Sequence, residues 1–173
     1  PKAKEALERF YARPDTLSLG VCNGCQLMME LGLITPDDDK KGRMLHNDSH
    51  KFESAFLGVD VPRNDSVMFG SKLGIWVAHG EGKFSLPYPE DHYNVVLKYA
   101  YSEYPGNPNG SDYSVAGIAS KDGRHLAMMP HLERACFPWN NAYYPLNRRG
   151  RDEVTPWIEA FVNARKWVES HRG

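Results

Sequence analysis

The sequence predicts an α/β domain with a partly parallel sheet. A short strand, a sharp turn and a helix open the readable part of the chain, strand-like segments dominate its middle, and helical periodicity returns near both ends. No repeat, linker or low-complexity segment divides 1–173, so the chain reads as one domain. Ala3, Ala6, Leu7, Phe10 and Tyr11 fall at helical spacing, and Arg13-Pro14 ends that segment. TLSLGV (16–21) reads as a buried strand and GCQLMMELGLI (24–34) as a helix with Gly32 near its end. PDDDKKGR (36–43) reads as a charged loop. KFESAFLGVDV (51–61), LGIWVAHG (73–80) and YNVVLKYAY (93–101) have strand character, the second running into a glycine-rich HGEG turn. YPGNPNGS (104–111) is a loop of turn formers, and YSVAGIAS and HLAMMP flank Asp122-Gly123 as a hairpin. Thr155 caps the last helix and Pro156 fits its first turn. Trp157, Ile158, Phe161, Val162 and Val168 form its apolar stripe.

Composition removes several function classes. Hydrophobic residues make up 41% and charged residues 25%, an ordinary globular balance. No apolar run approaches a bilayer span and no signal-like segment opens the chain, so no membrane partner is expected. The net charge of -1 offers no basic field for nucleic acid, and Arg148, Arg149 and Arg151 read as a solvated loop. Three cysteines are too few, and odd in number, for a secreted disulfide framework; a reducing cytoplasm is the expected setting.

The stretch GVCNGCQ (20–26) admits three chemistries. Structural zinc needs four ligands; Cys22 and Cys25 form one pair, and His131 with Cys136 is the only second pair on offer, at loose spacing. A redox pair would suit the strand-to-helix position, but no thioredoxin-like order of elements surrounds it. The third reading is a nucleophile elbow. Gly20 and Gly24 flank Cys22 and permit the tight turn that lifts its thiol off the sheet. The following helix N-terminus favours the thiolate, and the Asn23 N–H points to where an oxyanion would form. Downstream, His131 and Glu133 stand two apart, so extended backbone would put both on one face, a base with its orienter. The elbow with a downstream His-x-Glu weighs more than either alone.

LGVCNGCQLM, WVAHGEGKF, YPGNPNGS and MMPHLER, in this order, resemble the glutaminase domain of the large phosphoribosylformylglycinamidine synthases, which are class I (triad) glutamine amidotransferases. The resemblance covers nearly the whole chain and implies a flavodoxin-like three-layer fold. It implies Cys22 as nucleophile, His131 as acid/base and Glu133 as orienter. It implies substrate-binding roles for Asn23, Gln26, Gly80 and Glu81, with L-glutamine as substrate and no metal. His79 and Cys25 are expected to be structural. No cofactor is expected in this chain; ATP and magnesium would act in the upstream synthetase domains, the expected partners in purine biosynthesis.

Two departures carry expectations. Leu132 stands where the family usually has proline, which keeps the His-x-Glu spacing and is not expected to abolish chemistry. The family's domain also begins well before Pro1, with early strands and a loop supplying half the oxyanion hole. The chain is therefore expected to be N-terminally truncated, to be a poor glutaminase in isolation, and to dimerise through uncovered surface. The competing expectations are a non-catalytic docking fragment and the zinc module.

Overall fold

Period-two alternation sends side chains to both faces of one central sheet, and each face acquires its own helix. The computed structural model describes residues 2–64, 66 and 74–171. The strands are β1 (Ser18–Val21), β2 (Arg43–Leu45), β3 (Glu53–Asp60), β4 (Gly74–His79), β5 (Lys83–Ser85), β6 (Asn94–Tyr99), β7 (Val115–Ala119) and β8 (His125–Met128). The helices are α1 (Lys2–Ala12), α2 (Asn23–Glu30) and α3 (Glu159–His171). Six strands form one sheet in the order β1-β8-β7-β6-β3-β4, while β2 and β5 make a small ribbon. Among the described residues only β1 and β8 run parallel, with Gly20 opposite Ala127 and Val21 opposite Met128; the other pairs are antiparallel.

The three-layer expectation is met. Along β8, Leu126 and Met128 face a core shared with Trp157 and Ala160, next to and within α3. Ala127 and the following Met129 face the opposite core, shared with Cys25, Met28 and Met29 of α2. The hairpin around Gly123 forms as expected, with Ile118 opposite Ala127.

The differences have local causes. The helix after Cys22 stops at Glu30, not at residue 34. Gly32 takes φ 69°, and the N–H groups of Gly32 and Leu33 bond back to Met29 and Met28, a left-handed cap that ends the helix. The final segment begins with a tight 3₁₀ turn, Pro156–Ile158, capped by the Thr155 hydroxyl, before α3. That turn shifts the helical phase. Trp157 and Ala160 are buried, whereas Phe161 and Val162 of the expected stripe are 43% and 41% exposed. Helix α1 forms, yet none of its residues is fully buried. Its anchor is Tyr11, which stacks on His125 at 4.1 Å and accepts the Ser18 hydroxyl at 2.9 Å. The expected strand over 73–80 is observed as β4, with Leu73 lying outside the described residues.

Candidate active site

The junction of β1 and α2 is a sharp elbow. Cys22 sits there at φ 54°, ψ -106°, outside the regions that L-residues favour. Such a conformation costs about 1–3 kcal/mol and persists only where its surroundings hold it. Here the Cys22 N–H is fixed to the Met128 carbonyl at 2.9 Å, and its carbonyl accepts the Gln26 N–H at 3.0 Å. Glycine at position 20 is a steric requirement: a Cβ there would lie 2.1 Å from Met28 Sδ and 2.8 Å from the backbone of Gly24. Cys22 Sγ comes to 3.8 Å from the Ala78 carbonyl of β4. Burial pushes the thiol up; the Asn23 N–H and the Arg134 charge pull it down, and Glu133 pushes it up further. The net direction is upward, against the thiolate expected from the helix terminus.

His131 Nδ1 meets Glu133 Oε1 at 2.6 Å, though not through the extended backbone expected: Glu133 lies in a 3₁₀ turn, Leu132–Arg134, that starts right after His131. With Nδ1–H donated to the carboxylate, Nε2 is the free lone pair, and it is buried with no partner among the described residues. The His131 N–H donates to the Trp76 carbonyl at 2.8 Å, an isolated bridge onto β4. Cys22 and His131 therefore both contact β4, at carbonyls two residues apart. Beside them, Ser54, Trp76, Val77, Glu133, Arg134 and Asn140 line a cavity of about 420 Å³.

The predicted binding residues assemble on the other side of the elbow. Asn23 Nδ2 donates to Gln26 Oε1 at 3.2 Å, and Gln26 Nε2 donates to the Glu81 carbonyl at 2.8 Å. Gly80 and Glu81 line a second cavity, about 370 Å³, with His46, His50, Lys51 and Phe52. All seven residues singled out from the sequence thus lie around one end of the sheet.

A family model described as a CobB/CobQ-like glutamine amidotransferase domain matches residues 1–168. The chain belongs to this glutamine amidotransferase family. Its relatives include the phosphoribosylformylglycinamidine synthases of Homo sapiens, 41% identical over 97% of the chain, and Drosophila melanogaster, 38% identical over 96%. The chain spans only 15% and 14% of those two proteins. Among solved structures, PurLQS from Thermotoga maritima matches with a TM-score of 0.65 and 28% identity, covering 96% of this chain and 66% of that one. The resemblance read from the motifs and the class of fold it implied are both borne out.

In this amidotransferase domain the four-ligand zinc reading finds no geometry. Cys25 is buried in the core on the α2 face, and Cys136 in the core on the α3 face, its thiol on the Leu132 carbonyl at 3.3 Å. Among the described residues, no group of three or more His, Cys, Asp or Glu gathers as metal ligands would. Cys22 and Cys25 are both free thiols, and full burial pushes that of Cys25 well up. His79, expected to be structural, is buried, with both ring nitrogens unpartnered among the described residues. Burial lowers its pKa to about 4, so it is neutral. Sequence reading missed its cross-strand neighbour Glu53, whose Oε1 is buried and unpartnered among the described residues. A glutamate opening an alternating strand looks like a solvent-facing residue, so no signal marked it.

Proposed function

We propose that this chain is the glutaminase part of a phosphoribosylformylglycinamidine synthase, with Cys22, His131 and Glu133 as its catalytic triad. The observation that carries the reading is the strained elbow at Cys22 sharing β4 with a His131 whose Nε2 is buried and free. L-Glutamine lies between the two cavities, its side-chain amide at Cys22 and its amino-acid end against Gly80 and Glu81. Gln26, tied to Glu81 and Asn23, orders the binding side.

His131 Nε2 takes the Cys22 proton as sulfur attacks the amide carbon. The oxygen of the tetrahedral intermediate is stabilised by the Asn23 N–H. His131 returns the proton to the departing nitrogen, so ammonia leaves and a glutamyl thioester remains on Cys22. His131 then deprotonates water, which attacks the thioester; glutamate leaves and the thiol is restored. Glu133 holds the imidazole in the required tautomer and stabilises its charged form. The ammonia is consumed in upstream synthetase domains, where ATP and magnesium act. Three free cysteines fit work in a reducing cytoplasm, and no described helix is long and apolar enough to cross a membrane. The outer edge of β1 pairs with no strand among the described residues, which supports a neighbour there, an upstream domain or a second copy.

Intact mass after incubation with an electrophilic glutamine analogue tests the proposal. One adduct on the parent and none on Cys22→Ala is the expected result. An adduct on Cys25, or none on the folded parent, would overturn it.

A further inference from the structure

The YPGNPNGS loop and the segment around Asn47 take no part in the steps above, yet they bury polar side chains beside the site. Asn47 and Asn109 are wholly buried, and Asn107 and Ser111 nearly so. They converge on the Gly80–Gly82 turn. Asn47 Nδ2 donates to the His79 carbonyl at 2.7 Å and to the Lys51 carbonyl at 2.9 Å. Its Oδ1 accepts the Gly82 N–H at 3.0 Å, and its own N–H donates to the Gly80 carbonyl at 2.9 Å. From the opposite side, Asn109 Nδ2 donates to the Gly82 carbonyl, joined by the Ser111 hydroxyl at 3.4 Å. Asn107 holds Ser111 by both its N–H and its carbonyl, each at 3.1 Å. The turn is clamped so closely that a Cβ on Gly82 would lie 2.4 Å from His79 Nδ1 and 2.6 Å from Asn109 Nδ2.

This turn is one wall of the cavity that contains Gly80 and Glu81; the other wall is the stretch from His46 to Phe52. Asn47 lies behind the second wall, between its lining residues His46 and His50, and is bonded to the first, so its amide sets the gap between them. The turn also carries the Glu81 carbonyl that receives Gln26, which ties the gap to the helix beginning after Cys22. Only an amide serves at position 47, because one planar group must accept from one N–H and donate to two carbonyls. A carboxylate would keep the acceptor and set negative charge against both carbonyls.

We propose that Asn47 and Asn109 are positioning residues for glutamine: they hold the Gly80–Gly82 turn at the separation the substrate requires, without touching the substrate or the reacting atoms. The proposal rests on the glutaminase reading. It is tested in the full-length polypeptide with Asn47→Asp and Asn109→Ala. Leaving buried carbonyls unpaired costs about 1–3 kcal/mol, so KM for glutamine is expected to rise by about 5- to 150-fold. The expected kcat stays within about three-fold, and the rate of Cys22 alkylation by iodoacetamide, which needs no pocket, is unchanged. Labelling by the electrophilic glutamine analogue slows in step with KM. An unchanged KM in both variants, or iodoacetamide and analogue rates falling together, would overturn the proposal. If Asn47→Asp does not fold, Asn109→Ala and Ser111→Ala carry the same comparison. A parent that the analogue never labels overturns the glutaminase reading instead, which keeps the two failures apart.

Discussion

The proposed reacting end of the site and its proposed binding end are built differently. Each piece of the reacting end is local, although β4 and β8 bring the pieces together. His131 and Glu133 meet across two residues, and the Cys22 elbow is set by Gly20, Gly24 and Met28, with its N–H on the Met128 carbonyl. The binding end is assembled from afar. The Gly80–Gly82 turn is held by Asn47 from one loop and by Asn109 and Ser111 from another, all wholly or nearly buried. Local strain is conspicuous in a sequence because it demands particular residues side by side. A buried amide clamp is spread over the chain in residues that individually look like loop polarity.

Four measurements sharpen that contrast. The largest effect belongs to the elbow. Cys22→Gly should abolish glutaminase activity, by at least about 10³-fold, while raising stability by about 1 kcal/mol, because glycine relieves the positive φ. Denaturant unfolding alongside the activity assay checks both halves; a loss of stability would mean that the turn is not strained.

Next is His79, beneath the binding turn. Its pKa falls from the ordinary 6.5 to about 4, chiefly through burial, with His131 also lowering it and Glu53 raising it. Between these values the unfolded chain binds the proton and the folded chain does not. The contribution is therefore fully present above pH 6.5 and is lost as pH falls toward 4, on the order of 3 kcal/mol. His79→Gln should flatten that part of the stability profile; a variant as pH-sensitive as the parent would contradict the buried neutral ring.

Glu133→Gln keeps a hydrogen-bond acceptor but removes the charge that stabilises the imidazolium. A fall in kcat of about 10–10²-fold, with KM little changed, is expected from steady-state kinetics. The smallest effect tests the clamp's exposed fringe. Lys83 Nζ meets Asp48 Oδ1 at 2.7 Å, with the aspartate side chain 61% exposed. Lys83→Met should shift stability by less than about 1 kcal/mol, since exposed ion pairs contribute little. A KM shift as large as that of Asn109→Ala would dissolve the distinction between buried and exposed parts of the clamp.

Legibility followed the same division. The elbow, the His-x-Glu pair and the hairpin at Gly123 were all readable, because each is decided by neighbours in sequence. The exposed Phe161 and Val162 were misread because a 3₁₀ turn shifts the phase that a helical wheel assumes. The end of α2 was placed too late because Leu33 and Ile34 are apolar, although Gly32 had already turned the chain. Helix α1 forms where its spacing predicts a helix; in the fold it touches the sheet chiefly through Tyr11. Glu53 and Asn47 were illegible because nothing in a sequence tells a buried polar group from a solvated one before its partners are known.

Trp76 gives the site its own optical indicator. Its carbonyl holds the His131 backbone, and its indole N–H donates to the Asn140 carbonyl at 2.7 Å, with Phe56 edge-on at 5.1 Å. Indole emission shifts with polarity and with the hydrogen bond at its nitrogen. A single-tryptophan protein retaining Trp76 would therefore report, in real time and without a label, any displacement of the strand that Cys22 and His131 both contact.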